Sequence, residues 1–294
     1  MDQSAPRRAA LIVNAKSRRG QRLFKEACGR LRAAGVEIVL AKAVKKPDQL
    51  EAEVKRAVAS EVPMVIVGGG DGSLSSAVDH FVDGNTVFAL LPLGTANSFA
   101  RSTGVPLDIP GAVEVIARGR VARVDLGMID DDYYANCAAI GISPLIAESV
   151  PHGLKKWFGR PGYLAWAAVQ MAKFRPFVLT IEGEDCREEI CALEVRVANG
   201  SHHGGTELVD AHVQSGEIVV QAVIGTARAK LLWSWGLSLL GREKARGTVK
   251  EWRGKSFRIT TDPPLPISID GEVLAETPVT AQVADKAIRM MVPR

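Results

Sequence analysis

Four apolar runs punctuate the first third of the chain, at residues 9–13, 36–40, 62–67 and 86–91. They are nearly continuous rather than alternating, the pattern of strands buried on both faces of a parallel sheet. Helical periodicity fills the gaps between them. Leu23, Phe24, Ala27 and Leu31 share one stripe of a helix closed by Gly35. Pro47 suits the first turn of a helix carrying Leu50, Val54 and Val58 inward. Leu74, Ala77, Val78 and Phe81 recur at i, i+3, i+4 and i+7, and a further short helix is expected around 113–117. Strand and helix alternating in this way predict an α/β domain, a parallel sheet with helices on both faces.

Beyond residue 120 the period changes. Short, often alternating strands are expected at 121–126, 133–140, 177–181, 191–198, 217–223, 248–252, 257–260, 266–269 and 279–283, separated by turns such as Gln214-Ser215-Gly216 and Asp270-Gly271. That spacing predicts a β-rich antiparallel sandwich or barrel-like second domain. Helical insertions near 162–174 and 227–240 interrupt it. The expected division is 1–128 for the α/β domain and 129–294 for the β-rich one.

Three loops after the buried strands carry unusual composition. Gly68-Gly69-Gly70-Asp71-Gly72-Ser73 lies between a strand and a helix start, where glycines permit positive φ and close backbone approach. The helix behind it offers free N–H groups and a positive dipole end to phosphate oxygens. A turn after a buried strand often has one or two glycines; three in a row with a carboxylate point to a ligand. Asn14-Ala15-Lys16-Ser17-Arg18-Arg19-Gly20 and Pro92-Leu93-Gly94-Thr95-Ala96-Asn97 follow two other strands. All three loops leave the carboxyl ends of parallel strands, where ligands of such sheets bind. The pattern therefore points to a nucleotide.

Charge refines this. The net charge of the 294 residues is +4, yet the first 60 carry 14 Lys/Arg against 6 Asp/Glu. A basic first lobe suits a nucleotide or an anionic membrane face, or is a solvated surface. Nucleic acid is excluded as the expected partner, because no basic stripe interleaved with aromatics occurs. Cys28, Cys137, Cys186 and Cys191 show neither metal spacing nor a disulfide framework, which fits a cytoplasmic protein. No signal peptide is expected at the N-terminus, and no apolar run is long enough for a transmembrane segment.

Three motifs in order, Gly69-Gly70-Asp71-Gly72-Ser73, Pro92-Leu93-Gly94-Thr95-Ala96-Asn97 and Asp270-Gly271-Glu272, resemble the diacylglycerol kinase and sphingosine kinase catalytic-domain family, its bacterial lipid-kinase branch above all. Asp125-Leu126-Gly127 and Asn199-Gly200 match weaker positions, and the likeness covers nearly the whole chain. It implies an active site in a cleft between the two domains and transfer of the γ-phosphoryl group of ATP to a lipid hydroxyl, with Mg2+, at the inner face of a membrane. Carried over, Asn14 and Ser17 lie in the phosphate-proximal first loop. Gly68, Gly69, Gly70, Asp71, Gly72, Ser73 and Leu74 line the ATP phosphates, with Gly94, Thr95 and Asn97 at the nucleotide. Glu272 is the implied proton acceptor; Asp71 and Asp270 hold the metal or orient the hydroxyl. Such a carboxylate is what phosphoryl transfer to a hydroxyl requires.

This chain departs from the pattern at Ala15 (usually proline), Arg18 (commonly glycine), Ser98 (often aspartate) and Ser215, which stands in place of the aspartate of a structural metal loop. Two other readings remain open: a small-molecule or dinucleotide kinase resembling NAD kinases, which share the Gly-Gly-Asp-Gly element, and a catalytically silent nucleotide- or lipid-binding module. Asp125 either orients the site or caps a turn. His202-His203-Gly204-Gly205 offers a metal-binding or catalytic histidine, but without a third ligand at suitable spacing it is expected as a solvent-exposed loop near the cleft. Lys155-Lys156-Trp157-Phe158 and residues 228–246, with Trp233 and Trp235, either meet a membrane interface or pack the helices of the second domain. Exposed strand edges leave room for a homodimer.

Overall fold

The computed structural model describes residues 5–15, 18–142, 144–145, 170, 174–226 and 249–294, without the side chains of 18, 19 and 47. Ser17, the Lys155–Phe158 cluster, residues 228–246 and nearly all of both helical insertions lie outside the described residues. The first part runs β1 (Arg8–Asn14), α1 (Arg18–Ala33), β2 (Glu37–Val44), α2 (Pro47–Ala59), β3 (Met64–Gly69), α3 (Asp71–Val78), β4 (Val87–Pro92), α4 (Ser98–Ser102) and α5 (Ile109–Arg118). β1, β2, β3 and β4 pair in parallel in the order β4-β3-β1-β2. β3 and β4 are buried at every position, because helices cover both faces. β2 is the edge and mostly exposed. α5 is longer than its apolar periodicity predicts: Asp108 caps it, its carboxylate accepting the Gly111 N–H at 2.8 Å.

The second part contains β5 (Arg120–Ile129), β6 (Asp132–Tyr134), β7 (Cys137–Gly141), β8 (Phe177–Glu182), β9 (Arg187–Ala198), β10 (His202–His203), β11 (Thr206–Glu207), β12 (Ile218–Ile224), β13 (Val249–Gly254), β14 (Ser256–Asp262), β15 (Pro266–Ile269), β16 (Glu272–Glu276) and β17 (Val279–Val292). The expected β-rich antiparallel sandwich is present, and its strands join the parallel ones in a continuous path, β16-β15-β7-β9-β8-β14-β17-β4-β3-β1-β2. The single strand expected at 133–140 is two, β6 and β7, with a break at 135–136 that the site uses.

β17 is the seam. The sequence pattern predicts a strand over 279–283, but it continues to Val292. Its first half pairs antiparallel with β14, and Met290 pairs parallel with Phe88 of β4. Core membership therefore does not follow chain order. Val279 and Ala281 pack among Ile129, Phe177, Val195 and Ile259, whereas Ile288, Met290 and Met291 pack with Val67, Phe88 and Leu91. A bulge between Ala284 and Ile288, with Lys286 at φ 54°, separates the two stretches. Asp125 fixes it. One carboxylate oxygen accepts the Lys286 N–H at 2.7 Å, the other the Gly216 N–H at 2.8 Å. Asp125 thus caps a bulge and a turn. No helix of the described residues is long and apolar enough to cross a membrane.

Candidate active site

β1 connects through α1 to β2 on one side, and the chain returns through α2 to β3 on the other. The crevice between the carboxyl ends of β1 and β3 is thus a topological switch point, where α/β sheets bind ligands. Asn14 ends β1, and its side-chain amide donates to Ser73 Oγ at 3.2 Å across that crevice.

The glycines of the second loop answer a packing demand rather than a torsional one. None of Gly68, Gly69, Gly70 and Gly72 adopts positive φ, contrary to the expectation from sequence; Gly70 is extended at φ −99°, ψ −170°. A Cβ on Gly68 would stand 2.7 Å from Val13 Cγ2, and one on Gly69 2.4 Å from Ser73 Cβ. Gly70 and Gly94 meet backbone to backbone. Around Gly72 there is open space on the solvent side. The loop is compressed between β1, α3 and the Thr95 loop, with its outer face free.

In the third loop Gly94 and Thr95 are exposed. Asn97, expected at the nucleotide, is buried in the left-handed region at φ 48°. Its Oδ1 accepts the Gly94 N–H at 2.9 Å and its Nδ2 donates to Gly94 O at 3.0 Å. It clasps the loop and leaves Thr95 facing outward. Asp71, the first residue of α3, has Oδ1 accepting the Phe99 N–H at 3.3 Å. An acidic side chain there is favoured by the helix dipole.

The opposite wall comes from the hairpin β15–β16. Asp270 and Gly271 form its two-residue turn, with φ of 45° and 102°, the type I′ arrangement. The Asp270 carboxylate turns inward to the break between β6 and β7. Oδ2 accepts the Ala135 N–H at 2.8 Å; Oδ1 accepts those of Asn136 and Cys137, each at 3.1 Å. Burial pushes its carboxyl up to about 6; the three N–H groups oppose the shift, and the negative charge of Asp71 adds to it. Asp71, far away in sequence, thus lies near enough for its charge to act on Asp270. Glu272 is exposed and lines a cavity of about 220 Å3 with Ser75, Ser76, His80 and Tyr133, along the flank of α3.

A second-domain element that the sequence marks as an exposed loop also reaches the site. β10 and β11 form a short hairpin, with Gly204 and Gly205 at its turn, both at positive φ. His203 on it is half-buried, not the solvent-exposed loop residue expected. Behind it, β9 carries a buried ion pair, Arg196 to Glu194 at 3.1 Å, and Arg196 also donates to Gln221 at 3.3 Å. The Gly-Gly pair is the only sequence signal that could have flagged this hairpin.

A magnesium ion that shares its coordination with phosphates needs one or two carboxylates rather than a full protein cage; the Asp71 carboxylate, which accepts one backbone N–H, fits that, whereas Asp270 already accepts three. Among the described residues no group of three or more His, Cys, Asp or Glu could hold a metal by itself. At Ser215, which stands where the family's metal loop has an aspartate, the hydroxyl donates to His212 O at 2.8 Å, and the neighbouring Gly216 N–H goes to Asp125.

Comparison with known proteins gives two family matches. Residues 8–129 match the diacylglycerol kinase catalytic domain, and residues 137–292, more than half of the chain, match the YegS C-terminal NAD kinase beta sandwich-like domain. A probable lipid kinase YegS-like protein of Klebsiella pneumoniae is 28% identical over 288 residues, covering 96% of this chain and 95% of that one. A diacylglycerol kinase of Staphylococcus epidermidis is 28% identical over 297 residues, covering 98% and 93%. The crystal structure of a putative diacylglycerol kinase from Bacillus anthracis superposes with a TM-score of 0.80 at 22% identity, covering 97% and 95%, which shows the shared fold.

Proposed function

The chain belongs to the bacterial lipid kinase family that joins a diacylglycerol kinase catalytic domain to a YegS C-terminal domain, and from that premise we propose that it transfers the γ-phosphoryl group of ATP to the hydroxyl of a membrane lipid, as diacylglycerol kinases do. The observation that carries this reading is the meeting of two elements: the β15–β16 hairpin of the second part, with Asp270 at its turn, stands against α3 behind the Gly68–Ser73 loop, where Ile269 and Glu272 line one cavity with Ser75 and Ser76.

In this mechanism the outer face of the Gly68–Ser73 loop and the N-terminus of α3 receive the ATP phosphates, and Thr95 meets the nucleotide. Asp71 would hold Mg2+, which would neutralise charge on the phosphoryl oxygens. Asp270 accepts the lipid hydroxyl proton as the oxygen attacks. A carboxyl near 6 is largely ionised at neutral pH yet basic enough to take a proton, and its three N–H partners hold it in position. Glu272, the acceptor implied by resemblance, is better suited to the cavity mouth where the lipid enters. Closing the cleft between the two carboxylates excludes water, which would otherwise compete for the phosphoryl group.

The test is transfer of labelled γ-phosphate from ATP, with magnesium, to a panel of lipids in mixed micelles, run beside NAD. A labelled lipid that disappears in Asp270→Asn establishes the reading and names the acceptor class. Labelled NADP would instead assign a dinucleotide kinase. ATP binding without any product would leave a silent binding module.

A further inference from the structure

The hairpin β10–β11 comes from the second part of the chain but is fastened to the first. The His202 N–H donates to Ser102 Oγ and the Gly205 N–H to Ser98 Oγ, each at 3.2 Å. A Cβ on Gly205 would stand 3.3 Å from the backbone of Ala96, so the hairpin lies against the loop that exposes Thr95. Ser98 is followed by Phe99, whose N–H binds Asp71. Two adjacent residues of α4 therefore hold Asp71 on one side and the hairpin on the other. His203 sits on that hairpin, in the field of Asp71 and of the Arg196–Glu194 pair.

Its neighbour has a local partner: His202 Nδ1 and Ser201 Oγ are 2.9 Å apart. Among the described residues, no side-chain hydrogen bond ties the imidazole of His203. Its ring nitrogens are not among the fully buried polar atoms left without a partner, so they are open to solvent and to a ligand entering from that side.

We infer that His203 contacts the transferring phosphoryl group from the second-domain side, its imidazole N–H donating to a phosphoryl oxygen as the cleft closes. The direction of transfer rests on the lipid-kinase reading above; the contact itself does not. Donors aimed where charge develops are the strongest single devices available to such a site. The charged groups facing His203 are Asp71 from α3 and Arg196 and Glu194 from β9. Burial, followed by Arg196, holds its imidazole below the ordinary value against the two acids, so the ring is a neutral donor at pH 7. The loop residue that presents Thr95 and the hairpin that presents His203 are linked through Ser98, so both would reach the phosphates together.

The test uses the whole protein with His203→Ala and His203→Gln, since glutamine keeps a long-reaching N–H donor. In lipid phosphorylation, His203→Ala should lower kcat roughly 100-fold, with the lipid KM and the melting temperature unchanged. His203→Gln should recover a large part of the loss. A second arm needs no lipid: the gain in affinity that Mg·ADP acquires when aluminium fluoride mimics the transferring phosphoryl group. His203→Ala should reduce that gain about tenfold, equivalent to about 1.4 kcal/mol, while leaving the affinity for Mg·ADP alone unchanged. An unreduced gain, a wild type without any gain, equal weakening of Mg·ADP alone, or glutamine as poor as alanine in both arms would overturn the contact. A wild type that phosphorylates no lipid but passes the fluoride arm would refute the lipid-kinase reading and leave the His203 contact standing.

Discussion

A Cβ on Gly94 would stand 2.5 Å from the Cα of Gly70, so the Gly68–Ser73 loop and the Thr95 loop touch backbone to backbone. Each loop holds the other in place, and substitutions there separate into two kinds. Gly94→Ala forces the loops apart and should lower both the melting temperature and ATP affinity. Gly72→Ala meets open space and lies in the first turn of α3, where alanine is favoured over glycine by about 1 kcal/mol. It should leave the fold as stable or more so, yet weaken ATP binding at least tenfold if phosphate reaches this backbone. Calorimetry and nucleotide titration on the two variants check this. Unchanged ATP affinity in both would sink the phosphate-loop assignment.

The two hairpin carboxylates should differ in effect. Asp270→Asn is expected to reduce turnover roughly 100-fold or more, in the range of a general base. Glu272→Gln, exposed at the rim, should cost only a few-fold. Single-turnover transfer with both variants, after confirming nucleotide binding, decides between them. The reverse order would make Glu272 the proton acceptor.

The raised Asp270 value links activity and stability with opposite signs. Proton acceptance needs the carboxylate, so kcat/KM should rise with pH through about 6 and then level off. The fold binds this proton more tightly than the unfolded chain does. The contribution of this group to stability is therefore fully present below about 3.8 and is lost as pH rises through about 6. A pH–rate profile without an acid limb in that range would contradict the assignment.

Asn97→Ala removes both side-chain bonds to Gly94 and leaves a non-glycine residue at φ 48°. A loss of about 1–3 kcal/mol in stability is expected, with a higher KM for ATP. Asn97→Gly relieves the backbone but not the lost bonds, so it should recover stability more than KM. Equal kinetics for wild type and Asn97→Ala would show that the clasp does not govern Thr95.

Much of the fold was legible because burial imposes periodicity. The unbroken apolar runs of β1, β3 and β4 announced strands covered on both faces, and the motifs marked the loops that follow them. The reason for the glycines was misread. Local sequence cannot distinguish a turn that needs positive φ from one squeezed by a neighbour, because the neighbour, Gly94, is supplied by another loop. β17 was read too short for a related cause. Its apolar alternation is broken at the bulge over Ala284–Ile288, and only Asp125, far away in sequence, satisfies the N–H that the bulge leaves free.

The sequence by itself determined the local elements, the loop chemistry and the family likeness, since each rests on residues close together along the chain. The tertiary structure alone decided that the charge of Asp71 reaches Asp270, that Asn97 is a clasp, and that the β10–β11 hairpin of the second part lies against the Thr95 loop. Those facts depend on contacts between residues that are far apart in sequence, set by how strands pair across the β17 seam, and periodicity carries no record of them.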